Sequence, residues 1–269
     1  MNLWRKLACV ALAVVVCASL GANWLAPAGY EKQYREATDA PPSHAHWLGT
    51  DELGRDRLAR VLYGTRISLL LAPAAALLST LMAAFVGGLA GYLGGIWARL
   101  AMAVTDLCLS LPWLFLLITA RAFLPLNVSP LISVLVTFLL LGLLGWSTAA
   151  RVLCASAASL RSADFVRQAR AAGISGLRLF WIHVMPNLKP VLYAQFWISI
   201  PVFILSEANL GILGLGVAEP MPSWGSLLRE LEGLVSVREE PWKFVPLVLL
   251  VVVVMSFQLL LSRQQEVPA

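Results

Sequence analysis

The chain has 269 residues, of which 59% are hydrophobic and only 13% are charged. Soluble domains carry about 25% charged residues, so this composition excludes a soluble globular enzyme and a disordered chain, and it indicates an integral membrane protein. The net charge of +5 is a mild excess with no run of like charges longer than two, so we expect no nucleic-acid patch.

Six apolar stretches are long enough to cross a hydrocarbon core of about 30 Å as helices. Helices are expected because unpaired backbone amides are costly in lipid. A membrane β-barrel would show short alternating segments, and continuous runs such as Leu247–Met255 do not alternate. We therefore predict an all-α integral membrane protein with about six transmembrane helices, at about 7–26, 67–91, 100–124, 130–150, 190–210 and 244–262.

The first stretch allows two interpretations. Arg5 and Lys6 before Leu7–Leu20 resemble the basic end of a cleaved signal peptide. A retained helix is preferred because the apolar run continues through Trp24 and Leu25, and tryptophan suits a helix end at the membrane interface.

Charge patterning predicts that both chain ends are cytoplasmic. With that orientation the inner segments carry a net charge of +8 and the outer segments −1, although lysine and arginine alone are evenly divided. We divide the chain into an N-terminal anchor and outer segment (1–66), a transmembrane domain (67–262) and a short tail (263–269).

The longest inner loop, 151–189, contains six basic residues and one acidic residue. We predict a short helix from Ser162 to Ala172. Ser162 can cap it, and Asp164 lies favourably near the positive end of the helix dipole. Gly173 can then supply the left-handed residue that ends the helix.

The spacing of Phe165, Ala169 and Ala172 places them on one face of this helix. A second short helix, Leu177–Val184, is predicted to end before Pro186. The loop is either a docking helix for a partner protein or an amphipathic segment on the membrane surface.

This loop resembles the EAA loop of ABC-importer permease subunits, a cytoplasmic coupling segment. The Gly of that motif matches Gly173, and its Pro, thirteen residues later, matches Pro186. Arg167 stands at the Glu position, a familiar variant in the peptide and nickel branch. The resemblance implies that the following residues couple the chain to an ATPase: Phe165, Arg167, Gln168, Ala169, Ala171, Ala172, Gly173 and Pro186.

Two further segments, 46–69 and 205–225, resemble the C-type subunit of dipeptide, oligopeptide and nickel importers. We call five residues of the first segment the outer motif: Gly49, Asp51, Gly54, Arg55 and Asp56. The three motifs together span residues 46–225. The Gly-Asp-Gly-Leu-Arg-like tail usual in the family does not follow Arg263.

The resemblance implies a permease subunit of a binding-protein-dependent ABC importer in the bacterial inner membrane, forming half of a pathway for di- or oligopeptides. The implied partners are a second, B-type permease, two ABC ATPase subunits, an extracytoplasmic solute-binding protein and membrane lipid. The chain contains no Gly-Lys dipeptide and hence no P-loop lysine. We therefore expect no enzyme activity and no cofactor in this chain, with ATP-Mg on the ATPase subunits.

Two carboxylates, Asp106 and Glu207, fall inside predicted membrane helices. A charge at mid-bilayer is costly, which makes each a candidate for the transport pathway. The alternative is a structural role, in which Glu207 bonds to an outer loop and Asp106 meets water on the inner side.

Small residues and prolines indicate how the helices pack. Gly87 and Gly91 predict a close helix contact, whereas Gly95 belongs either to that ridge or to a turn. We expect kinks at three prolines, Pro73, Pro112 and Pro201.

Several alternatives remain open. His44 and His46 could form a metal site, although we expect none, or could serve a membrane enzyme. The four cysteines form no Cys-x-x-Cys pair and are expected to be buried free thiols. A nickel or other small-solute permease and an ion-coupled secondary transporter are the alternative functions.

Overall fold

A computed structural model describes residues 3–123, 128–233 and 240–262, with only the backbone at 232 and 233. Over these residues the structure is helical, with two isolated β-bridges, which confirms the predicted all-α class. The α-helices are α1 (Leu3–Leu20), α2 (Ala22–Leu25), α3 (Arg57–Ala83), α4 (Leu89–Leu93), α5 (Gly95–Ser110), α6 (Trp113–Ala122), α7 (Pro130–Leu144), α8 (Ser147–Arg161), α9 (Asp164–Ala171), α10 (Gly176–Leu179), α11 (Met185–Ile212), α12 (Trp224–Arg229) and α13 (Val245–Leu261).

Short irregular turns extend several of these helices. Ala84–Gly88 and Phe180–Val184 are π-helical, and Glu230–Gly233 and Pro241–Phe244 are 3₁₀-helical. In the described residues, five stretches are long and apolar enough to cross a membrane, and a sixth is added if α5 and α6 form one bent span. The predicted number of about six is therefore confirmed.

The predicted span 100–124 is not one continuous helix. The axes of α5 and α6 differ by 86° across a break of two residues. Leu111, which precedes Pro112, has an extended backbone (φ −84°, ψ 134°). Proline disfavours helical geometry at the residue before it, so Pro112 ends α5. In contrast, α3 and α11 continue as helix through Pro73 and Pro201.

Three helical stretches are longer than predicted, and the third, Gly176–Ile212, takes in the second short helix predicted in the inner loop. The stretch that contains α3 begins at Arg57, ten residues before the expected start, because Asp56 caps it and the arginines that follow find acidic partners. The stretch 130–161 runs eleven residues past its expected end. An apolar run shows only which part of a helix suits lipid. The helix continues beyond that run because α8 is amphipathic and buries one face.

The first of two compact units comprises Met1–Ala72, Arg121–Phe138 and Pro201–Ala269. In it α1 packs along α13, and Arg5 donates to Ser262 Oγ (3.2 Å). Trp224 is fully buried and donates through Nε1 to Thr65 Oγ1 (2.9 Å).

The second unit comprises Pro73–Ala120 and Leu139–Ile200. Gly87 and Gly91 pack directly against the backbone of α8, where an added Cβ would lie 2.1 Å from Ala150 O and 2.2 Å from Cys154 O. This contact confirms the predicted packing role of both glycines. Gly95 has φ +58° with open space around it, so it belongs to the turn.

The prediction of buried cysteines is wrong for most of them. Only Cys154 is buried, against Gly91, while Cys108 is partly buried and Cys9 and Cys17 are exposed. Both exposed thiols lie on α1, much of whose surface is uncovered in this chain.

Candidate functional site

The EAA-like loop, residues 162–186, begins with α9. Asp164 lies in its first turn, as predicted. The predicted cap is wrong, because the helix begins two residues later than expected and Ser162 Oγ instead donates to Ser159 O (2.9 Å). The residue that precedes α9 is Ala163, which has no capping side chain.

Gly173 ends this helix as predicted, with φ +84°. The N–H of Ile174 donates to Ala169 O (3.0 Å), and the N–H of Gly173 donates to Arg170 O (2.9 Å). These two bonds form a Schellman motif, which requires a left-handed residue at Gly173. The turn therefore depends on glycine for its backbone geometry, and an added Cβ at Gly173 would meet no other atom of this chain within 4 Å.

The structure divides the residues that were predicted to share one face of α9. Val166 and Ala169 point into the core of the second unit, whereas Phe165 and Ala172 are exposed. The predicted face of Phe165, Ala169 and Ala172 is therefore divided, because burial follows the i, i+3 pair of Val166 and Ala169. The loop residues that are exposed in this chain are Phe165, Arg167, Gln168, Ala171, Ala172, Gly173 and Pro186.

The predicted second short helix does not stop before Pro186. Helix α10 passes through the π-helical turn Phe180–Val184 into α11 without a break. A proline inside a helix leaves a carbonyl without its donor, and a wider turn accommodates this defect. Asn187 Nδ2 donates to His183 O (2.7 Å) and so satisfies one carbonyl of the turn.

The loop, which belongs to the second unit, is bonded to and packed against other helices of that unit. The hydroxyl of Tyr92 donates to Gly176 O (2.8 Å), and Arg161 donates to Leu93 O (3.2 Å). Phe180 is fully buried beside Tyr92, and Val166 belongs to the same apolar cluster. A force on the exposed face of α9 would therefore reach α4 and α8 through packed side chains.

The exposed surface of the loop is basic. Arg167, Arg170 and Arg178 are exposed, and Asp164 forms an exposed ion pair with Arg167 (2.7 Å). Such a surface suits a partner with acidic groups, and it also suits the anionic headgroups of the membrane-surface alternative.

Asp106 pairs with Arg151, a partner that sequence reasoning missed. The two side chains lie on α5 and α8 and are 60% and 57% exposed. Spacing along the chain could not reveal the pair, because the residues are 45 positions apart.

Glu207 is fully buried in the first unit. Ser68 Oγ donates to Glu207 Oε2 (3.3 Å), and a Cβ added at Gly225 would lie 3.0 Å from Glu207 Oε1. This geometry favours the structural alternative, in which Glu207 bonds to neighbouring segments.

Two glycines of the outer motif form tight turns. Gly49 and Gly54 have φ of +71° and +74°, and an added Cβ would lie 2.3 Å from Ala40 O and 2.2 Å from Tyr34 O. Only glycine allows both the left-handed backbone and the close approach.

The acidic residues of the outer motif organise the start of α3. Asp51 accepts from the backbone N–H of Arg55 (2.8 Å) and from Arg55 Nε (2.6 Å). Asp56 caps α3 by accepting from the N–H of Ala59 (2.9 Å), and its other oxygen pairs with His46 Nδ1 (2.8 Å). The motif is thus a folded turn and cap in this chain.

Three arginines in and after this turn form ion pairs with acidic residues that come much later in the chain. Arg55 and Arg60 pair with Glu219, the latter at 2.9 Å, and Arg57 pairs with Glu230 (2.5 Å). Arg60 is fully buried. Sequence reasoning missed this cluster, although the excess of both charges in the two predicted outer segments was a signal.

The cluster changes the pKa of two of its acidic members, Glu219 and Glu230. Burial alone would raise the pKa of Glu219, but hydrogen bonds and attraction from Arg60 and Arg55 outweigh it and hold that pKa below its ordinary value of 4.5. Burial raises the pKa of Glu230 despite the attraction of Arg57 and Arg60. Glu219 therefore favours its ionised form in the folded chain.

Metal ligands do not converge in the described part of the chain, which contains no group of three or more His, Cys, Asp or Glu side chains. His46 uses Nδ1 to bind Asp56 and packs edge-on against Tyr34 (ring centroids 4.7 Å apart).

Comparison with known proteins gives consistent matches. Residues 68–267 match the family described as "Binding-protein-dependent transport system inner membrane component". The chain is 36% identical to the oligopeptide transport system permease protein OppC of Mycobacterium tuberculosis over 222 residues, which is 82% of this chain and 74% of that protein. It is 30% identical to OppC of Bacillus subtilis (90% and 81% covered) and 30% identical to the dipeptide transport system permease protein DppC of the same organism (87% and 70% covered).

Proposed function

Because this chain belongs to the family of binding-protein-dependent transport system inner membrane components, we propose that it is a multi-pass inner-membrane permease subunit of an ABC importer for di- or oligopeptides. The observation that carries the proposal is the similarity to oligopeptide and dipeptide permeases over most of the chain. The five or six apolar helical stretches support the membrane location.

The EAA-like loop is the proposed coupling element. Its exposed face carries Phe165, Arg167, Gln168 and Ala172, and its buried face carries Val166 and Ala169. A separate ATPase subunit would bind the exposed face. The packed side chains on the buried face would then transmit its conformational change to the membrane helices. The proposed partners are two such ATPases with bound ATP-Mg, a B-type permease and an extracytoplasmic binding protein.

Both chain ends are proposed to be cytoplasmic. The start of α1 lies beside the end of α13, where Arg5 meets Ser262, which supports a common side for the two ends. The basic surface of the EAA-like loop supports the cytoplasmic assignment, since basic residues are enriched on that side. The predicted short tail, 263–269, lies outside the described residues.

The proposal is tested by isolating the complex and measuring uptake. Affinity-tagged chain expressed with its neighbouring subunits should co-purify with ATPase subunits, and cells should take up radiolabelled trialanine only when those subunits are present. Uptake that persists without an ATPase subunit would instead identify an ion-coupled transporter, and uptake of nickel without trialanine would refute the peptide assignment.

A matched set of tryptophan variants tests the coupling role. Ala172→Trp adds bulk to the exposed face of the loop and should lower ATPase co-purification and uptake at normal abundance. Ala169→Trp adds bulk to the buried face and should lower the amount of folded protein instead. Ala13→Trp, at an exposed position on α1, is the control and should change neither. Normal uptake by Ala172→Trp would refute the coupling assignment.

A further inference from the structure

Three large apolar side chains are exposed at the start of the helical stretch Gly176–Ile212. Leu177, Trp181 and Ile182 are 57%, 55% and 50% exposed, and we call them the α10 patch. Leu179 and Phe180, which lie between them in sequence, are fully buried. The helix therefore packs one apolar face into the core of the second unit and leaves another apolar face uncovered in this chain.

The three side chains of the α10 patch form one continuous surface. Leu177 and Trp181 are four residues apart, which places them on the same face of a helix. Ile182 follows Trp181 within the π-helical turn Phe180–Val184, where the wider turn brings residues five apart onto one face. A contiguous exposed apolar patch of this kind marks an interaction site.

Lipid does not account for the α10 patch. Lys189 is exposed on the same helix and precedes the apolar run that begins at Pro190, so it marks the limit of the lipid tails, from which charges are excluded. The patch lies 7 to 12 residues further from that run, which is roughly 10–18 Å at 1.5 Å per residue. The headgroup layer is only roughly 5–7 Å thick on each side, so the patch projects beyond it.

The surroundings of the α10 patch are basic and continue the exposed surface of the EAA-like loop. Arg170 and Arg178 are exposed and form no ion pair within the described part of the chain, whereas Arg167 is paired with Asp164. Helix α9, which carries Arg170, packs against α10. A protein that offers apolar side chains and acidic groups fits this combined surface.

We propose that the α10 patch binds the same ATPase subunit as the EAA-like loop, so that the ATPase interface continues past Gly173 onto the long helix itself. This inference rests on the proposed importer function. Buried aromatic side chains such as Trp181 supply much of the affinity of a protein interface, and the arginines beside it favour an acidic partner.

The second contact has a mechanical consequence. Helix α9 reaches the membrane helices only through its packed side chains, whereas the α10 patch lies on the same helical stretch that continues to Ile212. An ATPase subunit bound to the patch therefore moves one membrane helix directly.

Affinity purification of the complete importer tests the proposal. Trp181→Gln and Leu177→Gln should each lower the ATPase subunits retained by the tagged chain at least threefold, at normal abundance of the folded chain. Both variants are used because Trp181 also packs edge-on against Phe180 (ring centroids 5.3 Å apart), so its replacement removes a contact inside the fold. Parental retention by both variants would overturn the proposal.

The matched control is Trp47→Gln. Trp47 is 71% exposed in the predicted outer segment, so the substitution removes a similar exposed apolar side chain on the other side of the membrane. It should leave the amount of retained ATPase at the parental value. An equal loss of ATPase in Trp47→Gln and the patch variants would show a nonspecific effect and would also overturn the proposal.

A labelling experiment identifies what covers the patch. Open membrane fragments that contain the complete importer are treated with a water-soluble maleimide before and after urea removes the ATPase subunits, and labelling is read at each position by mass spectrometry. Ile182→Cys should react at least threefold faster after removal, and Trp47→Cys should react equally in both preparations. A patch covered by lipid or by the B-type permease would leave Ile182→Cys unreactive in both, and a patch open to water would make it equally reactive in both. Either result would overturn the proposal.

Ala172→Cys, on the exposed face of the EAA-like loop, separates failure of this inference from failure of the proposed function. If Ala172→Cys gains reactivity when the ATPase is removed and Ile182→Cys does not, the ATPase binds the EAA-like loop alone and only this inference fails. If no ATPase subunit co-purifies with the parent chain, the proposed function fails and this inference fails with it.

Discussion

Replacing Gly87 with alanine should separate two helices that now touch backbone to backbone. An added Cβ would lie 2.1 Å from Ala150 O and 2.7 Å from Ala150 C and Cα. Ordinary contact begins near 3.4 Å, so α8 would have to move by about 1.3 Å. All three atoms belong to the backbone, so the strain cannot be relieved by a rotamer change.

The expected cost is about 2 kcal/mol, in the range measured for overpacked cores. For a chain of this size that corresponds to a fall in Tm of roughly 4–8 °C. Thermal unfolding of the purified subunit, followed by tryptophan fluorescence, measures the change.

Gly88 provides a matched control one residue away. A Cβ at Gly88 would meet Leu188 at 3.6 Å and Phe180 at 3.7 Å, which is ordinary contact. Gly88→Ala should therefore leave Tm nearly unchanged. Equal effects of the two substitutions, or no effect of either, would refute the argument that close backbone approach holds this helix pair.

The other predictions concern the outer motif and the charged cluster. Ionised Glu219 stabilises the fold through Arg55 and Arg60, and folding lowers its pKa. This stabilisation is therefore complete above pH 4.5, the pKa of the unfolded chain, and is lost as the pH falls through the pKa of the folded chain. Glu219→Gln should therefore make Tm depend less on pH below about pH 5. The measurement is thermal unfolding at a series of pH values, and an unchanged dependence of Tm on pH would contradict the assignment. Asp56→Ala removes the cap on the N–H of Ala59 and should cost about 1 kcal/mol. Asp56→Asn keeps a capping oxygen and should recover most of the Tm, whereas equal losses in both variants would show that the cap contributes little.

The membrane class and the main motifs could be predicted because they depend on local properties. Apolar runs report the length needed to cross lipid, and Gly173 with Pro186 reports a turn by residue type and spacing. The left-handed turn at Gly173 was predicted on those grounds and is present.

Helix ends and buried faces could not be predicted from local patterns. Arg57 looks like part of a polar segment but begins a membrane helix, because Glu230 and Glu219 neutralise the arginines there. Phe165 looks like a core residue, yet Val166 and Ala169 are the ones that pack inward. Each outcome depends on residues distant in the chain.

The sequence by itself determined that this protein is a helical membrane protein, because hydrophobic length is a property of the chain alone, and its motifs carry the resemblance to importer permeases. Only the tertiary structure decided which charges meet. The Asp106–Arg151 pair, the buried arginine cluster and the inward face of α9 arise where helices separated in sequence pack together. A charge is stabilised by whatever lies within a few ångströms of it, and that distance is measured across the fold.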